Sequence, residues 1–229
     1  MTMDAAPTTK PAIEQIAERI TDAIMEHRLP PGVKLGEDRL AQTFNVSRTK
    51  VRQALTSLSK EGLVTLHPNR GAYVTRPTRQ EALDLMETRR LIEPEIIRQV
   101  IARATPKDLE KLKAHLEEED RAREEGNRRL IISLTGKFHM LLAELGGNIF
   151  IQKLMSELCP LTCLIIALYD APQMPACPED EHARIVEAII NKDVEKAIHL
   201  MLHHLNHIQD ALHLVDPEAR DIHWESLFG

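Results

Sequence analysis

His139, His182 and His204 are the residues of this 229-residue chain best placed to do chemistry. Thr135, Phe138, His139 and Leu142 share one face of a helical pattern. His182 falls in with Ile185, Val186 and Ile189, and His204 with Ala197, Met201, Ile208 and Leu212. A single histidine on an apolar face is ordinarily a satisfied core residue, but three on three helices of one bundle offer neutral imidazole nitrogens to a divalent cation. On a fourth helix Ala82, Met86, Arg89, Glu93, Ile96 and Val100 recur at intervals of four and three, so Arg89 and Glu93 interrupt an apolar stripe. Either they neutralise each other as an i,i+4 ion pair, or they wall a pocket for an anion, which a guanidinium grips through paired hydrogen bonds. Arg90 is a second candidate for that role. His199, His203 and His207 form a separate i,i+4 ladder, which reads as a solvated or interface face that can also chelate a stray ion.

A second reactive set lies nearer the N-terminus. From Arg39 to Arg76 there are seven basic residues and one acid, a local charge of +6 in a chain of net charge −6. Such asymmetry is the footprint of a phosphate-backbone binder. Leu40, Ala41 and Phe44 space the apolar face of a short helix, and Asn45-Val46 makes a turn. Ser47 is an N-cap residue for a second helix opening at Arg48. Val51, Ala54, Leu55 and Leu58 face inward from it, while Arg48, Thr49, Lys50, Arg52 and Gln53 face outward or occupy the first turns. Glu61-Gly62 closes it. Leu63–Leu66 and Ala72–Thr75 are β-prone runs joined by His67-Pro68-Asn69-Arg70-Gly71, a loop of turn formers with one cation. These elements make a winged helix-turn-helix, in which the start of the second helix meets base edges in the major groove. Its expected DNA-contacting residues are Arg39, Ser47, Arg48, Thr49, Lys50 and Arg52, with Asn69, Arg70 and Gly71 at the wing.

The positioning elements follow from punctuation. Residues 1–10 are small and polar and read as a disordered tail. Ile13, Ile16, Ala17, Ile20 and Ile24 trace a helix that Pro30-Pro31-Gly32 stops. The winged unit spans residues 11–76, and Arg76-Pro77-Thr78 is a linker. From 77 to 229 no strand pattern occurs. Helices are expected over about Arg79–Arg103, Pro106–Glu125, Asn127–Leu145, a fourth to Asp170 interrupted by Pro160, Glu179–Ile190, and a sixth from the Asp193 cap to Val215, with a short tail helix after Asp216-Pro217. The fold class is therefore mainly α: an N-terminal winged helix-turn-helix and a C-terminal all-helical bundle. Three cysteines without paired spacing argue against a disulfide framework. Cys159 and Cys163 read as buried small hydrophobes, Cys177 as a loop residue. The N-terminus lacks the apolar core of a signal peptide, and the longest apolar run, Leu161 to Tyr169, is short of the roughly 20 residues that span a bilayer. A soluble cytoplasmic protein with no membrane partner is expected.

Particular residues carry a family resemblance. Pro31-Gly32-Val33-Lys34-Leu35-Gly36-Glu37, Leu40-Ala41, Val46-Ser47-Arg48-Thr49, Val51-Arg52, Ala54-Leu55, Glu61-Gly62-Leu63-Val64 and Pro68-Asn69-Arg70-Gly71-Ala72-Tyr73-Val74 resemble the DNA-binding domain of GntR-family bacterial transcription regulators. The family often has Pro where this chain has Lys50 and Glu where it has Gln53, which bears on the operator sequence alone. Arg89-Arg90-Leu91-Ile92-Glu93, Phe138-His139 followed by Gly147-Asn148, Glu181-His182 with Ile185, and Ala197, Met201 and His204-Leu205 resemble the FCD effector domain of the FadR subfamily. Six main helices bring it closer to the VanR-like group. Metal-binding members place an Asp four residues before the first His, where this chain has Thr135. The resemblance thus implies His139, His182 and His204 as ligands of a divalent metal, zinc or nickel, at a site lacking the family Asp. It also implies a homodimer responding to a small organic acid.

The expected function is a homodimeric transcription regulator, a repressor, that binds a palindromic double-stranded DNA operator with half-sites roughly 34 Å apart. A small carboxylate held near Arg89, Arg90, Thr135 and Asn148 would weaken that binding. An alternative makes the metal itself the signal. A third reading, a zinc hydrolase, lacks an acid–base partner, because Glu181 beside His182 is expected to point away, and no enzymatic activity is expected.

Overall fold

The computed structural model describes residues 11–169 and 180–214. The N-terminal elements are α1 (Ala12–Met25), β1 (Lys34–Leu35), α2 (Glu37–Phe44), α3 (Arg48–Lys60), β2 (Val64–His67) and β3 (Gly71–Val74). Six helices follow: α4 (Arg79–Arg103), α5 (Pro106–Glu124), α6 (Arg128–Gly146), α7 (Ile149–Tyr169), α8 (Glu181–Ile190) and α9 (Val194–Asp210). The expected tail, the loop with Cys177 and any helix after Asp216-Pro217 lie outside the described residues.

Local chemistry sets the ends of α3. Asn45 takes φ 53° in the turn from α2, and the extended Ser47 accepts a hydrogen bond from the Lys50 amide through Oγ. At the other end Gly62 adopts φ +79°, which lets the Leu63 amide reach the Leu58 carbonyl at 3.0 Å. β2 lies one residue later and β3 one residue earlier than expected, because the positive-φ positions Asn69 and Gly71 pull the reversal into a shorter turn. The sheet has a third strand the sequence did not reveal. β1 pairs antiparallel with β3 on the side opposite β2, with Lys34 opposite Tyr73. Two residues are too few to show alternation, and β1 exists because the backbones of Gly32 and Val33 bond Val74.

In the bundle, capping boxes open α4 (Thr78 with Glu81) and α5 (Thr105 with Asp108), and Asn127 and Asp193 cap α6 and α9. Two expectations fail. Pro160 does not interrupt α7, which runs 21 residues through it. Proline inside a helix costs about 3 kcal/mol, and burial of Met155, Cys159, Cys163, Leu164, Ile165 and Ile166 outweighs that. α9 stops at Asp210 rather than Val215, because the His213 amide bonds the Tyr169 carbonyl at the end of α7 and draws the chain off the helix axis.

The apolar run is also longer than the sequence suggested. α7 is long and apolar enough to cross a membrane by length and composition, but from Met155 onward its apolar side chains line two protein cores. Leu164, with no exposed surface, packs with Ile16, Ile20, Ile24, Val51 and Leu55 in the N-terminal core, while most of its helix belongs to the bundle core. Leu161 lies under Gly62, 3.7 Å from where a Cβ would stand. In the other direction, Met25 of α1 enters the bundle core against Gly136 of α6, where a Cβ would come 2.9 Å from its Cε. His27 Nε2 donates to the Cys163 carbonyl at 2.9 Å, and Tyr169 OH to the Pro77 carbonyl at 2.8 Å. The DNA-reading unit is thereby docked on α6 and α7. Leu164→Ala should destabilise the N-terminal unit by about 2–5 kcal/mol although the residue belongs to the bundle; denaturant unfolding followed by hydrogen exchange in α1 and α3 checks this.

Candidate metal centre and nucleic-acid interface

The three histidines meet. His139 on α6, His182 on α8 and His204 on α9 have at most 1% of their surface exposed, and one ring nitrogen from each lies within 4.8 Å of the others. His139 Nε2 and His182 Nε2 stand 3.1 and 3.2 Å from His204 Nε2. The opposite nitrogens explain the convergence. His139 Nδ1 is 2.5 Å from Glu93 Oε2, His204 Nδ1 is 2.7 Å from Glu181 Oε2, and His182 Nδ1 is 2.9 Å from both oxygens of Glu119. Phe138 stacks on the His182 ring with centroids 4.0 Å apart and holds it edge-in.

Protonation follows from these carboxylates. Burial pushes Glu93 up, yet the Arg89 guanidinium and His139 beside it reverse this and bring it to about 2. Burial likewise acts against the charge of Glu119 and Glu181, but bonds from His115 and His182 hold Glu119 well below the usual carboxylate range, and His204 and His207 bring Glu181 to about 2. An ionised carboxylate only accepts, so each Nδ1 carries a proton and Nε2 is the ring nitrogen each histidine turns inward. Burial lowers His139 to about 3, which keeps it neutral at physiological pH.

Ring nitrogens at this spacing need either a shared proton or a metal cation between them. Nitrogens on one metal ion with bonds of ~2.1 Å are about 3.0 Å apart at a right angle and about 3.4 Å apart in a tetrahedron; the observed 3.1 and 3.2 Å fall between. Imidazole backed by a carboxylate is also the usual second layer of a histidine metal site. The donor set therefore fits a divalent ion. Thr135, in place of the family Asp, is 5% exposed, and its Oγ1 has no partner among the described residues, as is true of Arg89 Nη2. Cys159 and Cys163 are buried thiols that burial pushes up to about 12, so they act as the small hydrophobes expected.

The structure resolves the expected effector residues differently. Arg89 is wholly buried; its Nε donates to Glu93 Oε1 at 2.6 Å and its Nη1 to Thr162 Oγ1 at 3.2 Å. The i,i+4 pair is formed, and Glu93 passes it on to His139. Arg90 instead donates to Gln209 on α9, and the Asn148 carbonyl oxygen caps α7 by accepting from the Phe150 and Ile151 amides. Glu181 does not point away as expected, because His204 and His207 draw it inward. Glu119 was missed altogether. It sits in the charged run Glu117-Glu118-Glu119-Asp120, where it alone is buried. Leu112, His115, Glu119 and Ala122, spaced by three and four, were the available signal.

At the N-terminal unit Arg39, Ser47, Arg48, Thr49, Lys50, Arg52, Asn69, Arg70 and Gly71 are all exposed. Arg52 binds Glu37 through two bonds, at 3.0 and 2.8 Å, and Arg48 approaches Asp38 at 3.1 Å and Glu37 at 3.5 Å. The acidic first turn of α2 thus orients two cations of α3, a role for Glu37 that sequence reading did not assign.

Comparison with known proteins agrees with both halves. Residues 12–74 match the model of bacterial regulatory proteins of the gntR family, and residues 84–207 that of the FCD domain. The chain is 30% identical over 210 residues to the uncharacterized HTH-type transcriptional regulator YdhC of Bacillus subtilis, covering 90% of this chain and 93% of that one. It is 24% identical to the HTH-type transcriptional repressor RspR of Escherichia coli, over 93% and 94% of the two chains. It is 26% identical to the repressor NanR of Salmonella newport, over 90% and 87%. Among solved structures, a putative GntR regulator from Rhodococcus sp. RHA1 superimposes with TM-score 0.74 at 25% identity, over 86% and 95% of the chains. E. coli McbR/YncC shares the fold, with TM-score 0.78 at 18% identity, over 88% and 97%. With a winged helix-turn-helix presenting its cations to solvent and an FCD bundle behind it, the chain belongs to the GntR family of bacterial transcription regulators and is not an enzyme.

Proposed function

We propose that this regulator is a cytoplasmic homodimeric repressor, divided at about residues 76–77, whose grip on a palindromic operator is set by a divalent metal and a small carboxylate in the bundle. The observation that carries the reading is the convergence of three Nε2 atoms, each ring backed by a carboxylate on Nδ1. His139, His182 and His204 would hold the ion, zinc or nickel, which supplies a Lewis-acidic position for an anion. Charge supports a singly charged partner. Glu93, Glu119 and Glu181 outnumber Arg89 and Arg123 by one, so a divalent ion leaves the site one positive charge in excess. The partnerless Arg89 Nη2 and Thr135 Oγ1 are donors suited to carboxylate oxygens.

The same contacts support a route to the DNA. His139 bonds Glu93, Glu93 bonds Arg89, and Arg89 bonds Thr162 of α7, the helix whose Leu161 and Leu164 pack on the N-terminal unit. On α6, Gly136 meets Met25 one residue from Thr135. An anion that moves Arg89 shifts α7 and with it the separation of the two recognition helices in the dimer. The near-complete burial of the histidines favours a second reading, in which the ion alone is the signal and water completes its coordination. Operator titrations of metal-free protein, zinc-loaded protein, and zinc-loaded protein with a panel of small organic acids separate the two. By linkage, an effector that weakens operator binding must itself be weakened by operator to the same degree.

Five substitutions test these roles. In zinc titrations followed by thermal melting, His139→Ala should abolish the metal-dependent rise in Tm, and Glu119→Gln should weaken metal binding roughly 10–100-fold by releasing the His182 ring. Thr135→Asp should tighten the metal and blunt the response to organic acids, read by calorimetry with and without acid, because the new carboxylate takes the anion's place. Arg48→Ala should weaken operator binding by about 1–3 kcal/mol, whereas Lys50→Ala should lower the slope of log K against log salt by about 1, as measured by fluorescence anisotropy.

A further inference from the structure

An apolar groove of about 290 Å³ lies on the seam between the two halves, lined by Leu158, Leu161 and Ile165 of α7, Leu85 of α4, Pro77 of the linker and Gly62 behind α3. Leu158 and Leu161 are only half-buried there. The groove is smaller than the roughly 300–1,000 Å³ of small-molecule pockets and suits one or two large apolar side chains. The chain beyond residue 214 leaves the fold beside it. The His213 amide donates to the Tyr169 carbonyl, and Tyr169 OH donates to the carbonyl of Pro77, which borders the groove. Leu158, Leu161, Ile165 and Tyr169 recur by three and four, so one stripe of α7 runs from the groove to that exit point. Residues 215–229 hold Ile222, Trp224, Leu227 and Phe228, and Trp224 is the one tryptophan of a chain with only 3% aromatic residues. We propose that this C-terminal segment docks in the groove of its own chain, seating Trp224 against α7 and the linker and clamping the winged unit to the bundle.

Reach is ample. The stretch from Leu214 to Trp224 can span up to roughly 33 Å when extended, whereas one tyrosine side chain bridges the exit point to Pro77. Trp224, Leu227 and Phe228 stand at i, i+3 and i+4, the spacing by which one face of a short segment fills a hydrophobic groove. Charge agrees. The segment carries Asp216, Glu218, Asp221 and Glu225 against Arg220, while Arg76 and Arg79 are exposed on either side of Pro77. The acids on the α4 rim are already engaged, Glu81 by Thr78 and Asp84 by Gln80. A segment tethered beside its seat has a high effective concentration there, which favours the chain's own tail over that of a second copy. The groove shares no residue with the buried histidine centre, so this docking requires neither metal nor effector.

As the sole tryptophan, Trp224 reports on this segment alone in the full-length protein. Its emission should lie to the blue of the urea-unfolded chain, and acrylamide should quench it several-fold more slowly. A nitroxide on Asp84→Cys at the exposed rim, in a Cys177→Ser background, should quench Trp224; the same label on Glu117→Cys of α5, a helix with no part in the groove, should not. Leu158→Glu should move the emission back to the red with helical content by circular dichroism unchanged, and the label result stands even where that variant unfolds. Trp224 emission and quenching equal to those of the unfolded chain, or a protected Trp224 untouched by the label at residue 84, would overturn the docking. Co-refolding labelled Asp84→Cys/Trp224→Phe protein with unlabelled wild type separates the two sources of the tail. Quenching in that mixture would assign the groove to the tail of a second copy and overturn docking within the chain; no quenching, with quenching in the singly labelled protein, sustains it.

Discussion

The bundle depends on carboxylates buried against imidazoles. Taking three glutamates out of water is costly, and it is tolerated only where each charge is fully hydrogen-bonded. Glu93 lies between Arg89 and His139, Glu119 is held by His182, His115 and Arg123, and Glu181 by His204 and His207. These pairs set the orientation of the rings, so three Nε2 atoms arrive at one point. The direction of the three inward nitrogens is thus set by carboxylates on α4, α5 and α8.

α7 makes the two halves one mechanical unit. From Met155 onward α7 is apolar on most sides, and there its sides face two different cores. Its hydroxyl at Thr162 receives Arg89, and its leucines at 161 and 164 sit against the DNA-reading unit. Close packing transmits displacement rather than absorbing it, and Gly136 removes the one Cβ that would hold Met25 of α1 off α6. The docking is therefore stiff along two helices.

At the DNA surface the arginines are exposed but not idle. Glu37 and Asp38 neutralise part of the α3 charge and hold the guanidinium groups of Arg48 and Arg52 in fixed poses. Exposed pairs of this kind contribute little stability, so DNA phosphates can replace them at small cost, while the poses limit the freedom lost on binding.

Several features were written in the chain itself. Helical and strand periods, the Ser47 cap, the turn residues Asn45, Gly62 and Gly71, and the inward stripes carrying Arg89, His139, His182 and His204 are local, because side-chain spacing along one element needs no partner to be read. The sequence alone thus determined a winged helix-turn-helix followed by a bundle with three inward histidines. What it left open was every choice made between elements. Glu119 is indistinguishable by composition from Glu117 and Glu118 until α8 lies across α5; Asn148 and Thr135 look alike as polar candidates until one caps α7 and the other is buried without a partner; and Pro160 reads as a break until two cores close around it. Those outcomes depend on burial and on the direction of neighbouring side chains, and only tertiary packing decides them.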